Sequence, residues 1–447
     1  MSKLEVGYAR VNVTPPLGVN ISGYFVKRIA DGVLDELEAC AVAIRNEGKT
    51  VLLVAVDHLG IPKEFLDEWR PEMAKAAGTE ADAIFVHSTH THQGPELVKN
   101  SKNPANVLFE NLLHTRLVDV AALAVADLKP ARMGIGESEA KNVAFVRRYR
   151  MKDGTAKTNP GVNNPDILHS IGETDERVNV VRFDREGGET VVIANFGNHP
   201  DVVGGTKISA DWPGLTRRMV EKCIDNTKCV FFNGAQGDVN HVNVHPKAGD
   251  FNDMFNDFDG CSRGYGHSRH IARVVTGAIM SVYDKVEWLD KCDIRYMQKV
   301  VEISANKADP KDLPLAHKYY ELHLAGRHDE IPYKAMMLTT VVAEAGRMVR
   351  LENAPDTFPM RFSAVAIGDV AFFGIPGEPF TGIGRGIKEA EGWRMILPCC
   401  QTNAREGYFP MKDSYDEGGY EARSSNFKAG TAERIIEEGT KILDELR

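Results

Sequence analysis

Five short apolar runs, each ending on a polar residue, constrain this chain more than any other feature. Residues 50–56 (Thr-Val-Leu-Leu-Val-Ala-Val) stop at Asp57 and His58, and residues 83–86 (Ala-Ile-Phe-Val) lead into His87, His90 and His92. Residues 190–196 run out at Gly197-Asn198-His199-Pro200, residues 229–232 empty into Asn233-Gly234-Ala235-Gln236-Gly237-Asp238, and residues 370–375 end at Pro376-Gly377-Glu378. Unbroken runs of this length, without polar alternation, belong to strands covered on both faces. A helical pattern over about 62–77 separates the first two runs, and this strand–helix–strand order implies parallel pairing. The expected fold class is therefore α/β: a layered mixed-sheet sandwich with helices on the outside. Ligand crevices in open α/β sheets form beyond the C-terminal strand ends. Asp57, His90, His199, Asp238 and Glu378 all sit at that edge, which makes it the candidate site.

The remaining pattern fills in the layers. A strand opens the chain over 5–13, and a helix over about 105–127 carries Leu108, Leu112, Leu117, Val120 and Leu123 near helical spacing. Residues 133–150 read as strand and the polar stretch 152–175 as a long loop. Residues 177–183 and 190–196 read as a hairpin-like pair. Helices follow to about 224 and over 263–283, then a strand at 293–304 and helices at 311–325 and 331–350. A strand pair (360–367 and 370–375), a strand at 394–398, a Tyr- and Gly-rich loop at 403–426 and a helix at 430–446 complete the chain. No internal repeat, low-complexity tract or flexible linker is visible. Residues 1–447 are expected to form a single catalytic domain, any two-lobed division falling near 285–295.

Charge excludes some functions. The 447 residues carry a net charge of −9 and no Lys/Arg cluster, which argues against nucleic-acid or anionic-membrane partners. The start, Met1-Ser2-Lys3-Leu4-Glu5-Val6-Gly7, has no signal-like apolar run, and no stretch is long enough to span a bilayer. A cytoplasmic location without stable membrane association is expected. The seven cysteines lack any Cys-x-x-Cys spacing, so reduced thiols are expected.

The chemistry lies in the strand-end residues. His90 and His92 are two apart, so extended backbone would point both imidazoles to one side. They could share a metal, or one could bind it while the other faces the substrate. His90, His199 and Glu378 supply two imidazoles and a carboxylate, the donor set of a hydrolytic zinc. One Zn²⁺ ion is the expected cofactor. In the loop Asn20-Ile21-Ser22-Gly23-Tyr24-Phe25, Gly23 could admit close approach of a ligand. Three tyrosines, Tyr408, Tyr415 and Tyr420, stand in a polar loop, where a phenol can ligate metal or donate to an oxyanion.

Together these segments resemble the neutral/alkaline (non-lysosomal) ceramidases, zinc amidases that hydrolyse the N-acyl bond of sphingolipids. The resemblance rests on Asn12-Val13-Thr14-Pro15-Pro16, Ser22-Gly23-Tyr24, Thr89-His90-Thr91-His92-Gln93-Gly94-Pro95, Asn198-His199-Pro200, Asn233 to Val239, Pro376-Gly377-Glu378, and the spacing Tyr408, Tyr415, Tyr420-Glu421-Ala422. It implies that His90, His199, Glu378 and Tyr408 hold the zinc, that His92 faces the substrate amide, and that Tyr420 lies on the oxyanion side. The family's active-site arginine falls on Arg147 or Arg148, of which Arg147 is taken. Gly23, Asp211, Gln236 and Asp238 are the expected substrate-binding positions. Members of the family are secreted or luminal and carry a C-terminal immunoglobulin-like domain, whereas this chain is expected to lack both features.

The expected function is a zinc-dependent amidase in which His92 carries a proton to the leaving amine. Its partner would be a small, soluble, polar substrate, since polar and charged segments (Val26-Lys27-Arg28, Arg147-Arg148-Tyr149-Arg150, Met411-Lys412-Asp413) surround the motifs. Their arginines and lysines suit a carboxylate or hydroxyl-rich ligand. Two other readings remain open at this stage: a zinc-dependent carbohydrate-active hydrolase or lyase acting on a polar oligosaccharide, and a non-enzymatic metal-binding protein. Self-association into a homo-oligomer is also left open.

Overall fold

Three antiparallel strands, β1 (Glu5–Asn12), β2 (Glu38–Asn46) and β3 (Lys49–Val56), lead through helix α1 (Lys63–Ala77) into β4 (Ile84–Ser88) and helix α2 (Pro104–Ala126). Strand β4 lies parallel to β3, with Leu52 opposite Ile84, as the strand–helix–strand order implies. The computed structural model describes residues 4–251 and 254–447. The same connection order recurs in β5 (Lys129–Glu139), β6 (Arg177–Arg185), β7 (Thr190–Phe196), α3 (Asp211–Cys223), β8 (Thr227–Asn233) and α4 (Tyr265–Tyr283). It recurs again in β9 (Ile294–Ser304), β10 (Thr357–Ile367), β11 (Val370–Gly374), α7 (Thr381–Lys388), β12 (Met395–Cys399) and α8 (Thr431–Leu446). The third unit is interrupted by the helical hairpin α5 (Leu313–Leu324) and α6 (Ala335–Leu351) between its first two strands, as the second is by a small sheet within residues 140–176. The repeat that the sequence does not show is thus present in the topology: three antiparallel strands, a crossover helix, a parallel strand and a covering helix.

The first two units join edge to edge. Glu5 pairs with Pro130 and Val6 with Lys129, giving one mixed sheet ordered β8-β7-β6-β5-β1-β2-β3-β4, while β9-β10-β11-β12 form a second. Burial on both faces explains the unbroken apolar runs. On β3, Val51, Leu53 and Ala55 enter a core shared by both sheets, whereas Leu52, Val54 and Val56 pack beneath α1 and α2. On β7, Val191 and Ile193 face the shared core and Val192, Ala194 and Phe196 face α3 and α4. On β11, Val370 and Phe372 face inward, and Ala371 and Phe373 face α7 and α8. Helix α2 sits directly on backbone, because a Cβ at Gly7 would lie 1.9 Å from the Ala124 carbonyl oxygen.

Several local expectations are corrected. Strand β2 was not read from the sequence. Helix α2 buries Phe109, Leu113, Leu117 and Val120, whereas Leu108 and Leu123 of the expected face are 63% and 52% exposed. The strand expected over 133–150 breaks after Glu139. Arg148–Met151 instead joins Ala156–Thr158 and Ile167–Ser170, within the expected loop, as a small three-stranded sheet. The Tyr-rich loop contains the short helices Asp413–Glu417 and Tyr420–Ser424. Among the described residues, no helix is long and apolar enough to cross a membrane.

Residues 400–403 stitch the open ends of the large sheet together. Ser88 N–H donates to the Gln401 carbonyl, Asn403 N–H to that of Val86, and Cys400 N–H to that of Asn233. The C-terminal ends of β4, β7 and β11, one from each unit, thereby supply side chains to a single point.

Candidate metal centre

At that point three buried imidazoles converge. His90 Nε2 lies 3.3 Å from His199 Nε2 and 3.4 Å from His92 Nε2, and all three rings can offer a ligand atom to one ion. Glu378 Oε2 lies 3.3 Å from His90 Nε2 and 3.7 Å from His199 Nε2. This oxygen is buried without a hydrogen-bond partner among the described residues. The tautomers follow from the neighbours. His90 Nδ1 donates to the Leu59 carbonyl at 2.5 Å and His199 Nδ1 to that of Gln236 at 3.2 Å. A carbonyl only accepts, so the lone pair of each ring is at Nε2, aimed inward, the arrangement that orients metal-binding histidines. Burial holds the His199 and His92 pKa values well below that of free histidine, which keeps both rings neutral. Burial opposes ionisation of Glu378, but the facing His90 and His199 rings and the Tyr408 hydroxyl hold its pKa at about 2.

His90 carries local strain, with φ of +75° at a non-glycine residue, and its N–H donates to the His58 carbonyl. His92 differs from its two neighbours. Its Nδ1 has no hydrogen-bond partner among the described residues and lies 3.8 Å from the Asp201 carboxylate. Gly23, at φ +99°, makes room for this ring, since a Cβ there would lie 2.6 Å from His92 Nδ1.

The opposite wall is aromatic and cationic. The Tyr408 hydroxyl faces Glu378, Arg147 and Tyr420, and burial followed by the Glu378 charge raises its pKa well above the usual phenol value. The Tyr408 and Tyr420 rings meet edge to face at 5.5 Å, and Phe25 meets Tyr420 edge to face at 6.4 Å. Arg147 stands against the Tyr408 ring, fixed by Glu421 at 2.7 Å and the Gly237 carbonyl at 2.7 Å. Arg148 points elsewhere, to Ser414 and Glu417. Tyr415 holds the loop down by donating to the Phe427 carbonyl.

Asp57 forms a fully buried ion pair with Arg217 at 2.6 Å. Asp211, expected at the substrate, accepts from the N–H groups of Val202, Val203 and Trp212 and from the Ser268 hydroxyl. Asp238 accepts from Thr381 N–H at 2.7 Å and its hydroxyl at 2.9 Å, which caps α7. Gln236 joins His199 to Pro379 through its backbone, and its side-chain amide is buried with no hydrogen-bond partner among the described residues. Sequence reasoning missed Asp201, which pairs with Arg263 at 2.7 Å and with the Tyr24 hydroxyl. It also missed the use of Asn233, whose amide bonds the Thr89 and Asn198 carbonyls and so places His90 and His199 together.

No protein-family model matches the chain, and no curated protein matches it in sequence. Solved structures do. The neutral ceramidase from Pseudomonas aeruginosa is similar over 99% of this chain and 74% of its own, at 18% identity and a TM-score of 0.70. A ceramidase complexed with C2 is similar over 100% of this chain and 76% of its own, at 16% identity and a TM-score of 0.70. The chain therefore shares their mixed α/β fold along its whole length.

Proposed function

We propose that the chain is a zinc-dependent hydrolase, an amidase that cleaves a non-peptide N-acyl C–N bond of a small soluble substrate. The observation that carries this reading is the convergence of three inward-facing imidazole nitrogens on the orphaned, buried Glu378 oxygen. A cation at that point would satisfy the Glu378 oxygen and the Nε2 lone pairs of His90 and His199 at once, with His92 Nε2 left beside it, so the residues present fit the metal. His90, His199, Glu378 and Tyr408 would hold it. When bound, zinc supplies Lewis acidity toward a carbonyl and makes water nucleophilic at neutral pH.

This chain's own residues supply the rest. His92 is assigned to proton transfer because its Nδ1, unlike those of His90 and His199, is not locked onto a backbone carbonyl. Nε2 takes a proton from the attacking water and passes it to the departing nitrogen, while Asp201 beside Nδ1 stabilises the imidazolium in between. The Tyr420 hydroxyl donates to the carbonyl oxygen as charge builds there, and the Arg147 guanidinium adds positive potential behind Tyr408. The names of the structural neighbours, both ceramidases, support amide hydrolysis over other uses of the same metal.

The test has two parts. Elemental analysis of purified protein should give stoichiometric zinc, and a panel of N-acyl amines, N-acyl amino acids and acidic oligosaccharides should show turnover of N-acyl compounds. Protein without metal, or turnover confined to the oligosaccharides, would overturn the reading.

A further inference from the structure

The arginines around the candidate site are mostly occupied by the fold. Arg28 donates to the Ser22 and His92 carbonyls and to Gln93, while Arg148 and Arg150 bind Glu417. Arg147 binds Glu421 and Arg263 binds Asp201. Arg405 is different. It is solvent-accessible and makes no hydrogen bond or ion pair among the described residues.

Its position is nevertheless fixed at the site. Glu406 N–H donates to the Pro376 carbonyl at 2.8 Å, Glu378 N–H to that of Gly407 at 2.8 Å, and Gln401 N–H to that of Gly377 at 2.9 Å. The segment bearing Arg405 therefore runs alongside the one bearing Glu378. The arginine stem lies on Gly60, where a Cβ would come within 2.8 Å of its Cγ and 2.9 Å of its Cδ. Gly60 follows Leu59, whose carbonyl orients His90. Around the guanidinium stand Glu378, Glu96, Tyr420 and Tyr408, none at ion-pair or hydrogen-bond distance, and loss of hydration disfavours its charge. An arginine that is open to solvent yet partly dehydrated belongs to the wall of a concavity. Its donors remain unspent beside the reaction centre.

We propose that Arg405 reads the substrate, its planar guanidinium pairing with a carboxylate that the substrate carries next to the scissile amide. This rests on the amidase reading above and narrows it to N-acyl amino acids. The guanidinium fork matches a carboxylate in two parallel hydrogen bonds. The nearby acids Glu96 and Glu378 favour a singly charged group over a phosphate dianion, which would meet more repulsion.

The experiment compares N-butanoylglycine with N-butanoylglycinamide, which differ by one charge. Zinc-loaded wild-type protein should prefer the carboxylate compound, and Arg405→Gln should reduce that preference roughly 10- to 100-fold, mainly through KM, as expected for loss of charged hydrogen bonds. Arg405→Lys should recover part of it, and zinc content and circular dichroism should match wild type. Equal cleavage of both amides by wild type, or an undiminished preference in Arg405→Gln, overturns the assignment. Should neither amide nor any other N-acyl amine be hydrolysed, the amidase reading fails. Calorimetric binding of N-butanoylglycine to the zinc-loaded proteins then decides on Arg405: weaker binding to Arg405→Gln upholds it, while equal or absent binding overturns it.

Discussion

His92 sits as close to His90 as His199 does, yet its other ring nitrogen meets a carboxylate at 3.8 Å instead of a carbonyl. That asymmetry separates a ligand from a proton carrier and predicts different losses. His90→Ala and His199→Ala should strip the zinc and abolish turnover. His92→Ala and Tyr420→Phe should keep it, and removing the Tyr420 donor should lower kcat by about 10²–10³. Zinc content and kcat measured on the same preparations check this, and wild-type turnover by Tyr420→Phe would sink the oxyanion role. Gly23→Ala belongs with the second group, since its added methyl meets the His92 ring and its φ is +99°. It should retain zinc and lose rate. The acids illustrate the limit of sequence at this scale. Asp57 and Asp238 give the same strand-end signal as Glu378, but Arg217 and Thr381 occupy them, and backbone amides occupy Asp211. Asp201, which matters to His92, gains its meaning from Arg263, distant in sequence. Which partner a carboxylate finds is a tertiary fact, and no local pattern encodes it.

Among the elements, the long apolar strands and the helices between them were legible because burial on both faces leaves no room for polar residues. Strand β2 was not, since Ala39, Ala41 and Ala43 dilute its β-branched content and its conformation depends on pairing with β1 and β3. The exposed Leu108 and Leu123 misled for a related reason: helical spacing defines a stripe but not which way it turns. Helix α7 shows an element held from outside. Its N-cap residue, Phe380, offers no side-chain acceptor, and Asp238 supplies one from the end of β8. Asp238→Ala should lose about 1–3 kcal/mol, the cost of an unmade cap that leaves the Thr381 N–H unpaired, while the Thr381 hydroxyl keeps the Glu173 carbonyl. A lower denaturation midpoint with zinc content intact would show this. Unchanged stability with weakened substrate binding would instead return Asp238 to the substrate.

For the whole molecule, three units of one topology bring their strand ends together, and that convergence buries histidines beyond the candidate site. Burial is the main cause that lowers the pKa values of His58, His87 and His241 to about 3 and that of His267 to about 4. His87 shows why neutrality is needed: Nδ1 donates to the Cys400 carbonyl while Nε2 accepts from Asn233 N–H, a pairing that only the neutral ring can make. A depressed histidine pKa contributes stability that is present above the unfolded value near 6.5 and is lost as pH falls toward the folded value. Two buried acids act in the opposite sense. Burial raises Asp211 and Asp238 to about 6, so their contribution is present at low pH and is lost as pH rises through 6. Near pH 5 the unfolded chain binds about four more protons on these histidines and the folded chain about two more on these acids. Burial also holds His92 and His199 neutral, so the net uptake on unfolding is about four protons and stability should climb with pH at roughly 5 kcal/mol per unit around pH 5. The slope should flatten above about 7, where the histidines are neutral in both states. Urea titrations of chelator-treated protein between pH 4.5 and 7.5 measure it directly, free of metal loss. A flat or falling stability over pH 5–6 would mean that the histidines are not held neutral by burial, and the packing that joins the three units would have to be reassessed.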